Sequence, residues 1–444
     1  MKWKIAAILL LAIIVISGVY GWHEYQNFNA VPHTRLAAGS YYPEMLPDEY
    51  HHYLQIPINH QDPSLGNFTD FYLLNPEFIA GDNVVFWLCD NQQEAVGLTT
   101  SWRDFDASLG GLSYVLIGNR GVSPTLFPEV FDKDGSVNYT LAMKLYGSNE
   151  QIDDIEAIRR DMQKKGLLPK NGKIMVYGRS GGGVLVQQYL DKYGDHVSRA
   201  LIEASGGPDL AREHNTTFNK NTYESNPAVA SSYFALAQKG DATASLAFML
   251  FMIGQGGDVD LQKKIADSRT NNSSLGDKFT YMKSWLVPSN NFPLIYSLFN
   301  APRELEVKVR LYELMAEDLE NYHPASSKEV CLAIEWAKVL LADFIKAREK
   351  GEIPTTQINL NRSRYKGEVM VWSGTGDQVC AVEMGQWVSD SYPYSRLAVF
   401  DDSHHFQEHP GYYRQFRRAY FTYGLNSSEV QTHFDDPRQL NAEL

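Results

Sequence analysis

A serine flanked by glycines, between a strand pattern and a helix pattern, is the first feature of this sequence that can do chemistry. Residues 178–182 read Gly-Arg-Ser-Gly-Gly and follow the apolar run 173–177. The Gly-x-Ser-x-Gly spacing is typical of a sharp turn that raises a nucleophilic serine above a sheet. Glycine suits this turn because it has no Cβ and tolerates close backbone contact. The pattern predicts Ser180 as a nucleophile at a helix N-terminus, where free N–H groups favour developing negative charge.

An acid and a histidine follow two later strand patterns and can complete this chemistry. Asp377 lies in a Gly-Thr-Gly-Asp segment after one strand, and His405 lies in Asp-Ser-His-His-Phe after the next. A nucleophilic serine needs a base to accept its proton, and the imidazole needs a carboxylate to orient it. The carboxyl ends of neighbouring parallel strands meet at one edge of a sheet. We therefore predict His405 as general base and Asp377 as its orienting acid, with His404 and His409 as competing bases.

Alternating strand and helix patterns predict how these residues are positioned. Apolar runs bounded by turn residues alternate with helical periodicity over 53–206, which favours a parallel sheet covered on both faces. Helical patterns alone occupy 208–364, and strand patterns return at 368–372 and 396–400. The predicted divisions are a leader (1–21), a first core segment (22–207), a helical insertion (208–364) and a second core segment (365–444).

Four segments carry a family resemblance. They are residues 58–63, 119–123, 178–182 and 402–406. Together they resemble the α/β-hydrolase superfamily, and more narrowly its prolyl aminopeptidase and tripeptidyl aminopeptidase-like branch. The resemblance implies an α/β-hydrolase fold, with a mostly parallel sheet, flanking helices and a large inserted helical cap. Gly118 departs from the branch, because it stands where the Asp-x-Arg-Gly loop has its aspartate.

The resemblance also implies roles for individual residues. The family order of serine, acid and histidine fits Ser180, Asp377 and His405. The branch motif Asp-Ser-Gly-His-Phe aligns His404 with the glycine and so favours His405 as the base. Acids in this branch bind a peptide's free amine, which implies Glu203 and Glu335 as substrate-binding residues. A surface acid and a helix-face acid are the alternative interpretations of these two.

The expected oxyanion loop is the main departure from the family pattern. The family has a His-Gly-Gly-Pro type loop after the strand at 84–88, whereas residues 89–93 here read Cys-Asp-Asn-Gln-Gln. We expect the N–H of Gly181 as one oxyanion donor and a backbone N–H near Asn91 or Gln92 as the other. Losing one good donor costs roughly 10²–10³ in turnover, which keeps a non-catalytic alternative open.

Composition and the N-terminus limit the partners and the compartment. The 444 residues carry a net charge of -13, which disfavours a nucleic-acid partner. Two lysines precede the apolar run 5–19, a pattern that predicts export through a cleaved signal peptide or an N-terminal membrane anchor. Export permits a disulfide between Cys331 and Cys380, although free buried thiols are the expected state.

These patterns predict an exported serine hydrolase, periplasmic, secreted or membrane-anchored. The resemblance implies an aminopeptidase that removes N-terminal residues from small peptides through an acyl-enzyme. A carboxylesterase or lipase of the same fold and a non-catalytic binding protein are the alternatives. The chemistry implies no metal and no organic cofactor, so the expected ligand is a small peptide or ester.

Overall fold

The computed structural model describes residues 48–90, 96–97, 100–122, 127–270, 273–286 and 305–440, together with residues 15, 18–23 and 26. The leader prediction falls largely outside these residues and stays a prediction. Within the described part of the chain, no helix is both long enough and apolar enough to cross a membrane.

A mostly parallel sheet forms the centre of the described chain. Its eight strands are β1 (His51–Pro57), β2 (Asn67–Leu74), β3 (Val84–Trp87), β4 (Ser113–Ile117), β5 (Ile174–Arg179), β6 (Val197–Glu203), β7 (Glu368–Gly374) and β8 (Ser395–Phe400). They lie in the order β1-β2-β4-β3-β5-β6-β7-β8. The pairs β1–β2 and β2–β4 are antiparallel, and every other neighbouring pair is parallel. The carboxyl ends of β5, β7 and β8 therefore meet at one edge.

The apolar runs form strands because both faces of the sheet are buried. Successive residues of a strand point to opposite faces. Phe86 and Val176 thus belong to one apolar core, and their neighbours Trp87 and Tyr177 belong to the other. Continuous apolar runs are the pattern expected of parallel strands covered on two sides.

Helices cover both faces and form the insertion. The described helices are α1 (Arg103–Leu109), α2 (Tyr139–Tyr146), α3 (Ser148–Lys164), α4 (Gly181–Tyr193), α5 (Pro208–Glu213), α6 (Thr222–Ser225), α7 (Pro227–Gln238), α8 (Ala244–Gln255), α9 (Val259–Asp267), α10 (Leu275–Trp285), α11 (Leu305–Asn321), α12 (Leu332–Leu340), α13 (Ala342–Glu349), α14 (Val382–Asp390), α15 (Pro410–Tyr423) and α16 (Ser428–Phe434). Helices α5 to α13 separate β6 from β7, which lie side by side in parallel. The chain therefore leaves the sheet after β6 and returns beside it; we call α5 to α13 the cap.

The cysteines are not cross-linked in this fold. Cys89, Cys331 and Cys380 are buried free thiols. The Cys331–Cys380 disulfide considered above is therefore absent, and the expected state, free buried thiols, is the one observed.

Close backbone contacts at the turn between β5 and α4 leave no room for side chains at two glycines. A Cβ on Gly178 would lie 2.3 Å from the carbonyl oxygen of Gly182, and a Cβ on Gly182 would lie 2.5 Å from that of Leu88. Both distances are far inside van der Waals contact. The glycines flanking the serine thus let α4 pack directly on the sheet.

We expect Gly182→Ala to destabilise the fold by roughly 1–3 kcal/mol, because the added methyl group forces the backbone apart. Gly411→Ala, in the first turn of α15, is the matched control since a Cβ there meets nothing within 4 Å. That change should be neutral or stabilise by up to about 1 kcal/mol. Urea unfolding of both variants measures the difference, and equal stability of the two would contradict this account of the turn.

Candidate active site

Ser180 occupies a strained turn between β5 and α4. Its backbone has φ 51° and ψ -127°, a conformation that non-glycine residues rarely adopt. Such strain costs on the order of 1–3 kcal/mol and persists only where the surroundings enforce it. Here the Ser180 N–H donates to the Glu203 carbonyl oxygen (2.9 Å), and the Ser180 carbonyl accepts from the Ser205 hydroxyl (2.6 Å). Bonds to the strand end of β6 and the residues after it thus fix the position of the serine.

A buried hydrogen bond joins His404 to Asp377. Nδ1 of His404 lies 2.8 Å from Oδ2 of Asp377, and both side chains are 1% exposed. The other carboxylate oxygen accepts the N–H groups of Val379 (2.7 Å) and Cys380 (3.0 Å). A carboxylate can only accept, so we assign the imidazole proton to Nδ1 and leave Nε2 as an acceptor. Among the described residues, Nε2 of His404 is buried and has no hydrogen-bond partner.

The structure places His404, rather than the predicted base His405, in hydrogen-bond contact with Asp377. The His405 ring lies beside that of His404, with centroids 5.2 Å apart, but has no hydrogen bond to Asp377. Burial is the main cause that lowers the pKa of His405 to about 4, so its ring is neutral at pH 7. The family alignment favoured His405 only because it places His404 where the family motif has a glycine.

The packing of Phe406 explains which histidine reaches the acid. Its ring packs against those of Trp372 and Phe400, at 5.8 and 5.6 Å between centroids. Its backbone φ is 50°, which turns the chain away from an extended path. This irregular backbone directs His404 inward to Asp377, and no periodicity in the sequence reports it.

One of the two predicted oxyanion donors, Gly181, lies within the described residues. Gly181 is the first residue of α4, so its N–H is among the donors that a helix leaves unpaired in its first turn. Asn91 lies outside the described residues, and the second donor stays a prediction. The preceding residue, Asp90, is buried and ion-paired with Arg310 of the cap.

The fold makes Glu203 a structural residue. Its side chain is 0% exposed, and both carboxylate oxygens are occupied by the Arg417 guanidinium and the Tyr177 hydroxyl. The carboxylate therefore ties β6 to β5 and α15 and is not free to bind an amine. This corrects its predicted role. Glu335 lies on α12, with its carboxylate 3.5 Å from the hydroxyl of Tyr233, and is not among the residues lining the cavity beside Ser180.

A small, mostly apolar cavity adjoins Ser180. Its volume of about 20 Å³ is close to that of one water site. Around it lie Ser180, Gly181, Phe218, Asn219, Phe251, Leu311, Leu314, Met315, Ala333, Trp336, Val379 and Cys380. Most of these side chains belong to the cap, which therefore roofs the serine. A substrate larger than a few atoms must displace cap side chains to reach it.

An acid-lined cavity lies next to the first. It measures about 530 Å³ and shares Phe218 and Leu314 with the cavity at Ser180. Its carboxylates are those of Glu224, Glu313, Glu317, Asp318 and Glu329, against one arginine, Arg212. Burial is the main cause that raises the pKa of Asp318 to about 7, and the charge of Glu317 adds to it.

Arg310 connects the cap to the serine turn. Its guanidinium bonds the Asp90 carboxylate (2.5 Å), the Gly181 carbonyl (3.2 Å) and the Glu313 carboxylate (3.2 Å). All of these groups are buried. One cation on α11 thus neutralises two acids and donates a hydrogen bond to the carbonyl of the first residue of α4.

We expect Arg310→Met to destabilise the protein by about 3–5 kcal/mol, because the change leaves two buried carboxylates without their cation. Arg414→Met, at an exposed position of α15, is the matched control and should change stability by about 0.5 kcal/mol or less. Chemical denaturation measures both. A loss below about 1 kcal/mol for Arg310→Met would show that the network contributes little.

Comparisons with known proteins give likenesses of fold only. No family model matches the chain, and no curated protein matches its sequence. An esterase from Exiguobacterium antarcticum is 16% identical, covering 79% of this chain and 96% of its own, with a TM-score of 0.33. An alpha/beta fold family hydrolase from Bacillus anthracis is 13% identical, covering 86% and 99%, with a TM-score of 0.36. A meta-cleavage product hydrolase from Pseudomonas fluorescens is 12% identical, covering 74% and 86%, with a TM-score of 0.36.

The fold is defined by the internal architecture of the described residues. A mostly parallel eight-stranded sheet with helices on both faces carries a glycine-flanked serine between β5 and α4. The acid and the histidine follow β7 and β8, in the chain order of this fold. The chain therefore has the α/β-hydrolase fold, as the sequence predicted.

Proposed function

We propose that this chain is a serine hydrolase that works through an acyl-enzyme on Ser180. The observation that carries the proposal is the buried His404–Asp377 hydrogen bond, which leaves His404 Nε2 as an unpartnered acceptor. Cys380 connects this pair to the serine, because it lines the cavity of Ser180 and its sulfur lies within 4.8 Å of the pair. Base, acid and serine thus share one edge of the sheet.

The proposed chemistry follows from these positions. Nε2 of His404 takes the hydroxyl proton of Ser180 as the serine oxygen attacks the substrate carbonyl. Asp377 stabilises the imidazolium that forms, and the Gly181 N–H stabilises the oxyanion. His404 then gives the proton to the leaving group. In the second half, His404 accepts a proton from water as the water oxygen attacks the acyl carbonyl. His404 then returns this proton to the Ser180 oxygen as the acyl group leaves, which regenerates the serine.

The acid-lined cavity supports substrates that carry a free amine. Glu313 is ion-paired with Arg310 and Glu317 with Arg212. The other three carboxylates, those of Glu224, Asp318 and Glu329, have no lysine or arginine partner among the described residues and attract a cationic group. The cavity adjoins the serine cavity through Phe218 and Leu314. We propose aminopeptidase-like cleavage, in which a peptide's ammonium group enters this cavity and its first carbonyl meets Ser180. Asp318, rather than Glu203, is the carboxylate proposed to face the amine. Export through the leader belongs to the same proposal.

An esterase is the second candidate, and a different observation favours it. Phe218, Phe251, Leu311, Trp336 and their neighbours make the cavity beside Ser180 mostly apolar. Such a lining suits a short, uncharged acyl group. No carboxylate lines this smaller cavity among the residues described. The two candidates therefore differ in whether the substrate needs a charged amine.

A matched substrate panel separates the candidates. We expect an aminoacyl p-nitroanilide with a free amine to exceed its N-acetyl counterpart roughly 10–100-fold in kcat/KM, corresponding to about 1.4–2.8 kcal/mol. Asp318→Asn should reduce this preference without slowing hydrolysis of a short p-nitrophenyl ester. Asp260→Asn, an exposed position on α9 outside both cavities, is the control and should keep the preference.

The pH dependence has a defined sign. Asp318 is neutral below its pKa of about 7 and anionic above it. The preference for the free amine should therefore grow as pH rises through 7. It should fall again above about pH 8, where the substrate's own amine deprotonates. If the ester is the better substrate at every pH and Asp318→Asn leaves the preference between amine and ester substrates unchanged, the esterase is favoured. A folded chain that hydrolyses nothing in the panel would favour the non-catalytic alternative.

A further inference from the structure

A free thiol lies beside the proposed catalytic residues and has no part in the hydrolytic mechanism. Cys380 is buried and lies three residues after Asp377. The Oδ1 atom of Asp377 accepts the Cys380 N–H at 3.0 Å, which fixes the backbone that carries the thiol. The side chain lines the same cavity as Ser180.

Three different kinds of metal ligand converge at this point. A carboxylate oxygen of Asp377, the sulfur of Cys380 and a ring nitrogen of His404 lie within 4.8 Å of one another, and all three residues are buried. Nδ1 of His404 already lies 2.8 Å from Oδ2 of Asp377, so a nitrogen and a carboxylate oxygen face each other in this cluster. Oxygen, sulfur and imidazole nitrogen are the ligand types that zinc takes in proteins.

We propose that Asp377, Cys380 and His404 bind a thiophilic divalent cation, zinc being the matching ion, and that the bound ion stops hydrolysis. Ligand atoms of a tetrahedral zinc site lie about 3.5 Å apart. Nδ1 of His404 and Oδ2 of Asp377, now 2.8 Å apart, therefore need to separate slightly to admit the ion, and the sulfur of Cys380 already lies within 4.8 Å of a ring nitrogen of the one and a carboxylate oxygen of the other. A water molecule or the Ser180 hydroxyl would take the fourth position. The inhibitory part of this proposal rests on the proposed function, whereas the binding part does not.

Binding of the ion releases one proton. The Cys380 thiol releases its proton to solvent and forms the metal–sulfur bond, while Asp377 and His404 contribute an oxygen and a nitrogen lone pair. His404 stays neutral, because its proton moves from Nδ1, which binds the ion in place of the hydrogen bond to Asp377, to Nε2. Since Nε2 then carries the proton, the imidazole no longer accepts the serine proton. A chelator reverses the step by removing the ion, and solvent returns the proton to sulfur.

The surroundings both favour and oppose the ion. Burial holds the pKa of Cys380 well above its usual range, so the ion must displace a firmly held proton. Lys220, whose ammonium lies 3.2 Å from the backbone carbonyl of Asp377, opposes a second cation nearby. The carboxylate of Asp377 and the thiolate of Cys380 would together supply two negative charges, which offset the repulsion between Lys220 and the ion.

Cobalt(II) is the probe because its thiolate charge-transfer band reports a metal–sulfur bond without any substrate. The reduced full-length chain is titrated with cobalt chloride alone and then with zinc chloride. We expect a saturable band at one equivalent, which zinc removes. Cys380→Ser should abolish the band, and His404→Ala should weaken binding roughly 10–100-fold or more. Cys331→Ser, at an equally buried thiol outside the cluster, is the matched control and should keep the band.

Hydrolysis of the p-nitrophenyl ester completes the test. Zinc should lower wild-type turnover roughly tenfold or more, and EDTA should restore it. A folded wild-type chain without a saturable band, or a band that persists in Cys380→Ser, overturns the metal site. A chain that binds cobalt but hydrolyses nothing keeps the site and rejects the proposed function. A chain that hydrolyses the ester but shows no band rejects the site alone.

Discussion

The hydrogen bond between His404 and Asp377 is the interaction on which the site depends. It joins the loops after β7 and β8, and two backbone N–H groups saturate the other carboxylate oxygen. Because both carboxylate oxygens accept hydrogen bonds, the acid holds the imidazole ring in one orientation, with the proton assigned to Nδ1. Ser180 is held independently, by its bonds to Glu203 and Ser205. The carboxyl edge of the sheet thus carries the serine, the acid and the histidine of the proposed reaction, and the hydrogen bond from Ser180 to His404 Nε2 is the contact that still has to form.

The cap is coupled to this edge by charge as well as by packing. Arg310 reaches from α11 to the Gly181 carbonyl and to Asp90, so the helix that roofs the serine also contacts the residue proposed as an oxyanion donor. The cavity left beside Ser180 holds little more than a water molecule. Access therefore depends on movement of cap side chains, and Phe218 and Leu314 separate this cavity from the acid-lined one. We therefore propose that the cap selects the substrate, whereas residues at the edge of the sheet carry out the reaction.

Local patterns were enough to predict the fold and the serine turn. The glycines at 178 and 182 are required by contacts within a few residues or with the adjacent strand, and the apolar runs reflect burial on both faces. The choice between His404 and His405 was different, because it depends on the irregular backbone at Phe406 and on distant aromatic rings. Glu203 was also beyond sequence reasoning, since its partner Arg417 lies 214 residues away. Asn91 falls outside the described residues, so its role stays a prediction.

Labelling with a fluorophosphonate probe tests the central claim most directly, because the probe reacts with an activated serine and assumes no substrate. The account predicts that wild type and His405→Ala are labelled, whereas Ser180→Ala and His404→Ala are not. Circular dichroism of each variant confirms that the fold is intact. Labelling that survives in folded His404→Ala, or that disappears in folded His405→Ala, would contradict the assignment of His404 as the base.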